Sequence, residues 1–125
     1  ILTSIDVPAI KPGESVAFEE FVRRHGDYAT IGLAAKGQTY SGSVTGLKLV
    51  FFSVSDRPVL ATKTAECLDT QQIGSLSSNA DLDAALDEDL SDITMDAHTS
   101  IEAKKHLAKE ILIRVLKKLV TGAET

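Results

Sequence analysis

Between Arg23 and Tyr28 the chain reads Arg23-Arg24-His25-Gly26-Asp27-Tyr28, five polar or ionisable side chains in six residues. Guanidinium groups bind anions and carboxylates as rigid forks, and Asp27 supplies the opposite charge within their reach. Two readings are open for this cluster. In one it is ordinary solvated surface, with the arginines complementing a helix dipole and Asp27 pairing with them. In the other it is a binding corner for an anion.

The spacing around the cluster predicts how it is displayed. Phe18, Phe21 and Val22 fall at i, i+3 and i+4, which predicts an amphipathic helix over 18–24. Ser15 is its expected N-cap, and Glu19, Glu20, Arg23 and Arg24 lie mostly on the other face. Gly26 is expected to stop the helix, since a left-handed residue costs glycine little. Residues 27–31 then turn the chain into a strand.

Other catalytic constellations are missing from the sequence. It contains no Walker loop, no G-x-G-x-x-G and no G-x-S-x-G elbow. The three histidines, His25, His98 and His106, form no i, i+4 pair of the kind that binds zinc on a helix. Cys67 is the single cysteine, so an internal disulfide is excluded, and its neighbours Ala65 and Leu68 predict a buried, inert thiol. Asp81, Asp83, Asp87, Glu88 and Asp89 are expected to form a solvated helix face rather than a calcium loop, which needs a glycine turn. No catalytic residue and no metal ligand is expected, and the chain is not expected to be an enzyme by itself.

Composition sets the outer bounds. The 125 residues, 43% hydrophobic and 25% charged, fit one domain, 1–125, that buries about two thirds of its unfolded surface. Only 5% are aromatic and tryptophan is absent, so the core must be mostly aliphatic. A net charge of −5 argues against nucleic-acid and anionic-membrane partners. No apolar run approaches the ~20 residues of a membrane helix. With no signal-peptide pattern a cytoplasmic location is expected, and with no initiator methionine the chain reads as a piece cut from a longer polypeptide or as one with disordered ends left out.

Along the chain, Leu2–Val7 reads as a strand, followed by a link through Pro8, Pro12 and Gly13. Tyr28–Lys36 reads as a strand whose small residues, Ala29, Gly32, Ala34 and Ala35, invite close approach of something bulky. Thr45–Ser55 is the strongest strand, with Phe51 and Phe52 on opposite faces. Asp56-Arg57-Pro58 turns the chain out of the sheet. Thr62–Leu68 reads as a short helix capped by Thr62 or Thr64, 71–78 as a loop, and 79–90 as a helix. Ser100–Val120 is the longest helix, capped by Thr99 or Ser100. Its apolar stripe includes Ile101, Ala108, Ile111, Leu112, Val115, Leu116 and Leu119. Lys104, Lys109, Lys117 and Lys118 occupy its opposite, basic face, and Gly122 closes it. The expected core includes Phe18, Phe21, Leu49, Phe51, Leu112 and Leu116. Strands and helices segregate along the sequence. The expected fold class is therefore α+β: an antiparallel sheet of three to four strands, packed on one face by about three helices.

The order of four segments resembles one family. Ile5-Asp6-Val7-Pro8, Ala17-Phe18-Glu19-Glu20-Phe21-Val22-Arg23-Arg24-His25-Gly26-Asp27-Tyr28-Ala29, Ser53-Val54-Ser55-Asp56-Arg57-Pro58-Val59 and Ser100-Ile101-Glu102-Ala103-Lys104-Lys105-His106-Leu107-Ala108 carry the resemblance. Together they look like the C-terminal domain of the FAD-binding medium subunit of molybdenum hydroxylases, the carbon monoxide and xanthine dehydrogenase relatives. Relatives often carry an aromatic residue and an arginine where this chain has Ala103 and Lys104, and a glycine near Ser53. The resemblance implies that FAD is held chiefly by two preceding domains of the same subunit, and that this domain walls the isoalloxazine ring. Arg24, Asp27 and Tyr28 are the residues it places near the ring. Glu19 stands where one relative has a lysine beside the flavin, and is not carried over. It further implies a large subunit with the molybdenum cofactor and a small subunit with iron–sulfur clusters, electrons passing through FAD to an acceptor. The rival readings are a stand-alone α+β protein-interaction module and an anion-binding regulatory domain.

Overall fold

The computed structural model describes residues 1–74 and 80–123. The elements run β1 (Glu14–Val22), β2 (Ala29–Tyr40), β3 (Ser43–Phe52), β4 (Val59–Leu60), α1 (Thr62–Leu68), α2 (Ala80–Asp89) and α3 (Ile101–Ala123). The strands form one antiparallel sheet in the order β1-β2-β3-β4. The expected α+β class holds, with helices against one face of the sheet.

The largest departure from the sequence reading is at the corner itself. The segment expected as a helix over 18–24 is strand β1, paired residue by residue with β2 from Glu14 opposite Gln38 to Phe21 opposite Ile31. Ser15 is therefore no N-cap but a strand residue opposite Gly37. Ala17, Glu19 and Phe21 turn toward α3, and Val16, Phe18, Glu20 and Val22 turn away. Glu19 is what hides this alternation in the sequence, because it puts a charge on the helix-covered face. In the fold Lys118 of α3 reaches it and pairs with its carboxylate. Lys118 also donates to the Phe18 carbonyl oxygen, at 3.4 Å. A lone strand cannot hydrogen-bond itself, so only β2 makes this conformation available.

The inner face carries the core. Ile31, Leu33 and Ala35 of β2 and Leu47, Leu49 and Phe51 of β3 are buried against Ile111, Leu112, Val115, Leu116 and Leu119 of α3 and Leu68 of α1. Phe21 is half-buried at its margin, whereas Phe18, expected in the core, is 53% exposed on the other face. The β2–β3 hairpin closes through Ser41 and Gly42, both with positive φ, a two-residue turn whose twist matches the strands it joins.

Residues 1–11 form no regular strand and the expected Leu2–Val7 strand is not made; its apolar side chains are exposed. Gly26 has φ +86 and serves the turn after β1 rather than a helix end. The 79–90 helix is observed as α2; Asn79 and residues 75–78 lie outside the described set. α3 runs past Gly122 to Ala123, so that glycine does not close it. At its start the Ser100 hydroxyl accepts from the Ala103 amide at 3.2 Å, as an N-cap should. Ile101 is exposed, and Lys104, expected on the solvated basic face, is buried. Cys67 is half-buried rather than buried, and what burial it has pushes its thiol pKa up.

α1 is capped from another element. Ala61 occupies its N-cap position and neither threonine caps it. Asp89 of α2 instead accepts from the amides of Lys63 at 3.2 Å and Thr64 at 2.7 Å, and from the Thr64 hydroxyl at 2.7 Å. The α2 carboxylates are thus more than a solvated face. Asp83 pairs with Lys109, Asp87 with Lys105 and Glu88 with Lys63, which ties α2 to both other helices.

Candidate functional site

The face of the sheet turned away from the helices is open and apolar. Val16, Phe18, Ala34, Val50, Phe52 and Leu60 lie on it, flanked by Lys36 and Lys48. Val16, Phe18 and Leu60 are each more than half exposed. The Phe18 and Phe52 rings stack with centroids 5.6 Å apart and planes 6° from parallel. Small residues in β2 make that possible. Ala34 stands opposite both Phe18 and Val50, and a methyl group on Gly32 would overlap the Phe52 ring. The close approach expected from the small-residue pattern of β2 is therefore made by Phe52 itself.

The polar corner follows the end of β1. Gly26 and the bond from the Asp27 amide to the Arg24 carbonyl, 3.0 Å, fold residues 23–28 into a turn. The Asp27 carboxylate accepts from the Tyr28 amide at 2.8 Å, and Tyr28 is 94% exposed. A cleft of about 310 Å³ lies between Arg23, Asp27, Tyr28, Ala29 and Thr30 on one side and Asp96, Ala97 and His98 on the other. Of the three residues the sequence singled out, Asp27 and Tyr28 line this cleft; Arg24 is in the same turn but does not, and Arg23 takes its place. The Asp96–His98 wall comes from the segment before α3, far away in sequence. Sequence reasoning did not single out this wall.

The cleft wall is electrostatically built. The His98 amide N–H, followed by the Lys104 ammonium and the Thr99 amide, holds the Asp96 carboxyl below the ordinary carboxylate range, against a smaller opposing effect of burial. A carboxylate whose pKa is lowered by folding contributes stability that is present above its unfolded pKa. That contribution is lost as pH falls through the lower, folded value. This wall is therefore expected to loosen only in acid below the ordinary carboxylate range. Among the described residues no group of histidine, cysteine and carboxylate side chains is arranged to hold a metal ion. No helix among them is long and apolar enough to cross a membrane.

No curated protein sequence matches the chain. Solved structures match its fold. A carbon monoxide dehydrogenase from Hydrogenophaga pseudoflava lacking the Mo-pyranopterin moiety of its cofactor superposes with a TM-score of 0.72 at 23% identity, over 90% of this chain and 39% of that one. Quinoline 2-oxidoreductase from Pseudomonas putida 86 gives 0.70 at 24% identity, over 91% and 39%. Reconstituted carbon monoxide dehydrogenase from Oligotropha carboxidovorans gives 0.70 at 20%, over 90% and 39%. The chain thus spans about two fifths of the length of these chains. The model of the CO dehydrogenase flavoprotein C-terminal domain matches residues 16–119, from β1 almost to the end of α3, and this chain belongs to that family.

Proposed function

We infer that this chain is the C-terminal domain of the flavoprotein subunit of a molybdenum-containing hydroxylase or dehydrogenase, of carbon monoxide or xanthine dehydrogenase type, working in the cytoplasm. Its role is to wall the flavin that the preceding domains of the same subunit hold. Partner subunits, one with the molybdenum cofactor and one with iron–sulfur clusters, complete the enzyme. Bound FAD supplies the electron transfer between those clusters and an acceptor. This chain supplies surroundings and no catalytic group.

What supports this reading is the family match over residues 16–119, together with an aromatic pair on the open face of the sheet and a polar corner after β1. A flavin ring has an apolar face and a polar edge, and the residues present fit those two requirements. They do not fit the pyrophosphate, since the sequence has no glycine-rich loop to cradle it. The isolated chain is accordingly expected to retain no FAD at micromolar concentrations in equilibrium dialysis, because an open wall encloses too little of a ligand to hold it. Micromolar retention would show a complete site that this reading denies.

The corner is tested by redox titration of the intact flavin-loaded subunit. A cation beside the ring favours its reduced, negatively charged form and a carboxylate disfavours it. Asp27→Ala should raise the midpoint potential, while Arg24→Ala and Arg23→Ala should lower it. Each change should correspond to about 1 kcal/mol, as for a partly screened charge a few ångströms away. Potentials that coincide with wild type in all three variants would make the corner ordinary surface.

A further inference from the structure

Lys104 is the one residue with a charged side chain that is buried among the described residues, at 4% exposure. Its ammonium donates to the Ser53 carbonyl oxygen at 3.1 Å and pairs with the Asp96 carboxylate at 3.2 Å. Neither partner is on α3. Ser53 follows β3 directly, with φ +62, a left-handed conformation uncommon for a residue with a side chain. Asp96 in turn accepts from the amides of His98 and Thr99, at 2.8 Å each. The Thr94 amide donates to the Val54 carbonyl at 2.8 Å. The segment between α2 and α3 is thus fastened beside the end of β3 at two points, one of which is the lysine.

A buried ion pair adds little net stability compared with an apolar residue of similar volume, but removing one partner strands the other. Its consequence is to exclude other placements of the groups it bonds. We propose that Lys104 is a positioning residue: it holds the Asp96–His98 wall in register with Arg23, Asp27 and Tyr28 and so sets the width of the cleft beside the corner. Lys104 does not itself line the cleft and acts through Asp96, which does. Its bearing on a flavin rests on the function proposed above; its bearing on the wall does not.

Hydrogen exchange on the chain tests the first point. Lys104→Met keeps the length and apolar stem of the side chain and removes its charge and donors. It should speed exchange of the His98 and Thr99 amides about tenfold while α3 and β2 amides keep their rates, as a local opening does. Lys104→Arg keeps charge and donors and should restore slow exchange. Asp96→Ala, at a side chain 41% exposed, approaches the same wall without touching the core and should also accelerate exchange there. Wild-type exchange at His98 and Thr99 in Lys104→Met overturns the proposal, whatever Asp96→Ala does. So does equal acceleration in Lys104→Met and Lys104→Arg, which would point to packing rather than pairing. If Lys104→Met does not fold, Lys104→Gln, neutral but able to donate to the Ser53 carbonyl, takes its place, and wild-type exchange in that variant overturns the proposal. In the flavin-loaded subunit, Lys104→Met should also raise the rate at which sulfite adds to the flavin several-fold. Faster amide exchange with an unchanged sulfite rate upholds Lys104 as the positioning residue of this wall and counts instead against the placement of the corner beside the flavin.

Discussion

Phe51→Ala is expected to lower the unfolding free energy by about 3–5 kcal/mol, the range for removing a buried aromatic side chain. Phe51 is fully buried in β3, opposite Leu33 and beside Val59 of β4, within the cluster that also contains Leu112 and Leu116. No neighbour is free to fill the space, because those side chains are themselves held by the sheet ladder and by α3. Phe18→Ala is the informative comparison. Phe18 is more than half exposed and touches Phe52 by stacking, so its loss should cost about 1 kcal/mol, the scale of an aromatic pair. Urea titration of the two variants should show a midpoint several times more displaced for Phe51→Ala, with the slope unchanged in both. Equal displacements would mean that the open face is covered and Phe18 belongs to a core. Such a result would contradict the two-faced sheet on which the functional reading depends.

Asp89→Ala is expected to be the most damaging change of an ionisable residue outside the core. The carboxylate satisfies two amides at the start of α1 and the hydroxyl of Thr64. Thr64 is fully buried, so water cannot replace the lost acceptor at its amide and hydroxyl. Leaving such groups without partners costs about 1–3 kcal/mol each, and a combined loss of about 3 kcal/mol is expected after relaxation. For a domain of this size that lowers the melting temperature by about 10 °C. Asp89→Asn retains one acceptor oxygen and should lose less. Asp87→Ala, on the same helix, loses the exposed ion pair with Lys105 and serves as the comparison. Calorimetry showing Asp89→Ala no worse than Asp87→Ala would remove the cross-element cap.

These two sites also show what was legible in the sequence. Alternation of Leu47, Leu49 and Phe51 in an apolar run, the stripe on α3 and the segregation of strands from helices all follow from local periodicity. Local periodicity is what the sequence encodes directly, so the α+β class, β3, α1, α2, α3 and most of their buried apolar residues could be read from it. The polar corner was visible for the same reason, as residues adjacent in sequence. β1 was not. Phe18, Phe21 and Val22 satisfy a helical spacing, while Glu19 breaks the strand alternation, and only the Lys118 partner supplied by α3 makes that glutamate acceptable on the covered face.

By itself the sequence determined most of the core, the run β2, β3, α1, α2, α3, the corner Arg23–Tyr28 and the resemblance to a flavoprotein domain. Tertiary structure alone decided the rest. It turned the first amphipathic segment into an edge strand, exposed Phe18, buried Lys104, sent Asp89 to cap a helix not its own, and set His98 across a cleft from Tyr28. The physical reason is the same in each case. A strand, a buried charge and an uncapped helix end all lack partners within their own segment, and those partners come from residues 7 to 100 positions away. No pattern confined to neighbouring residues contains them.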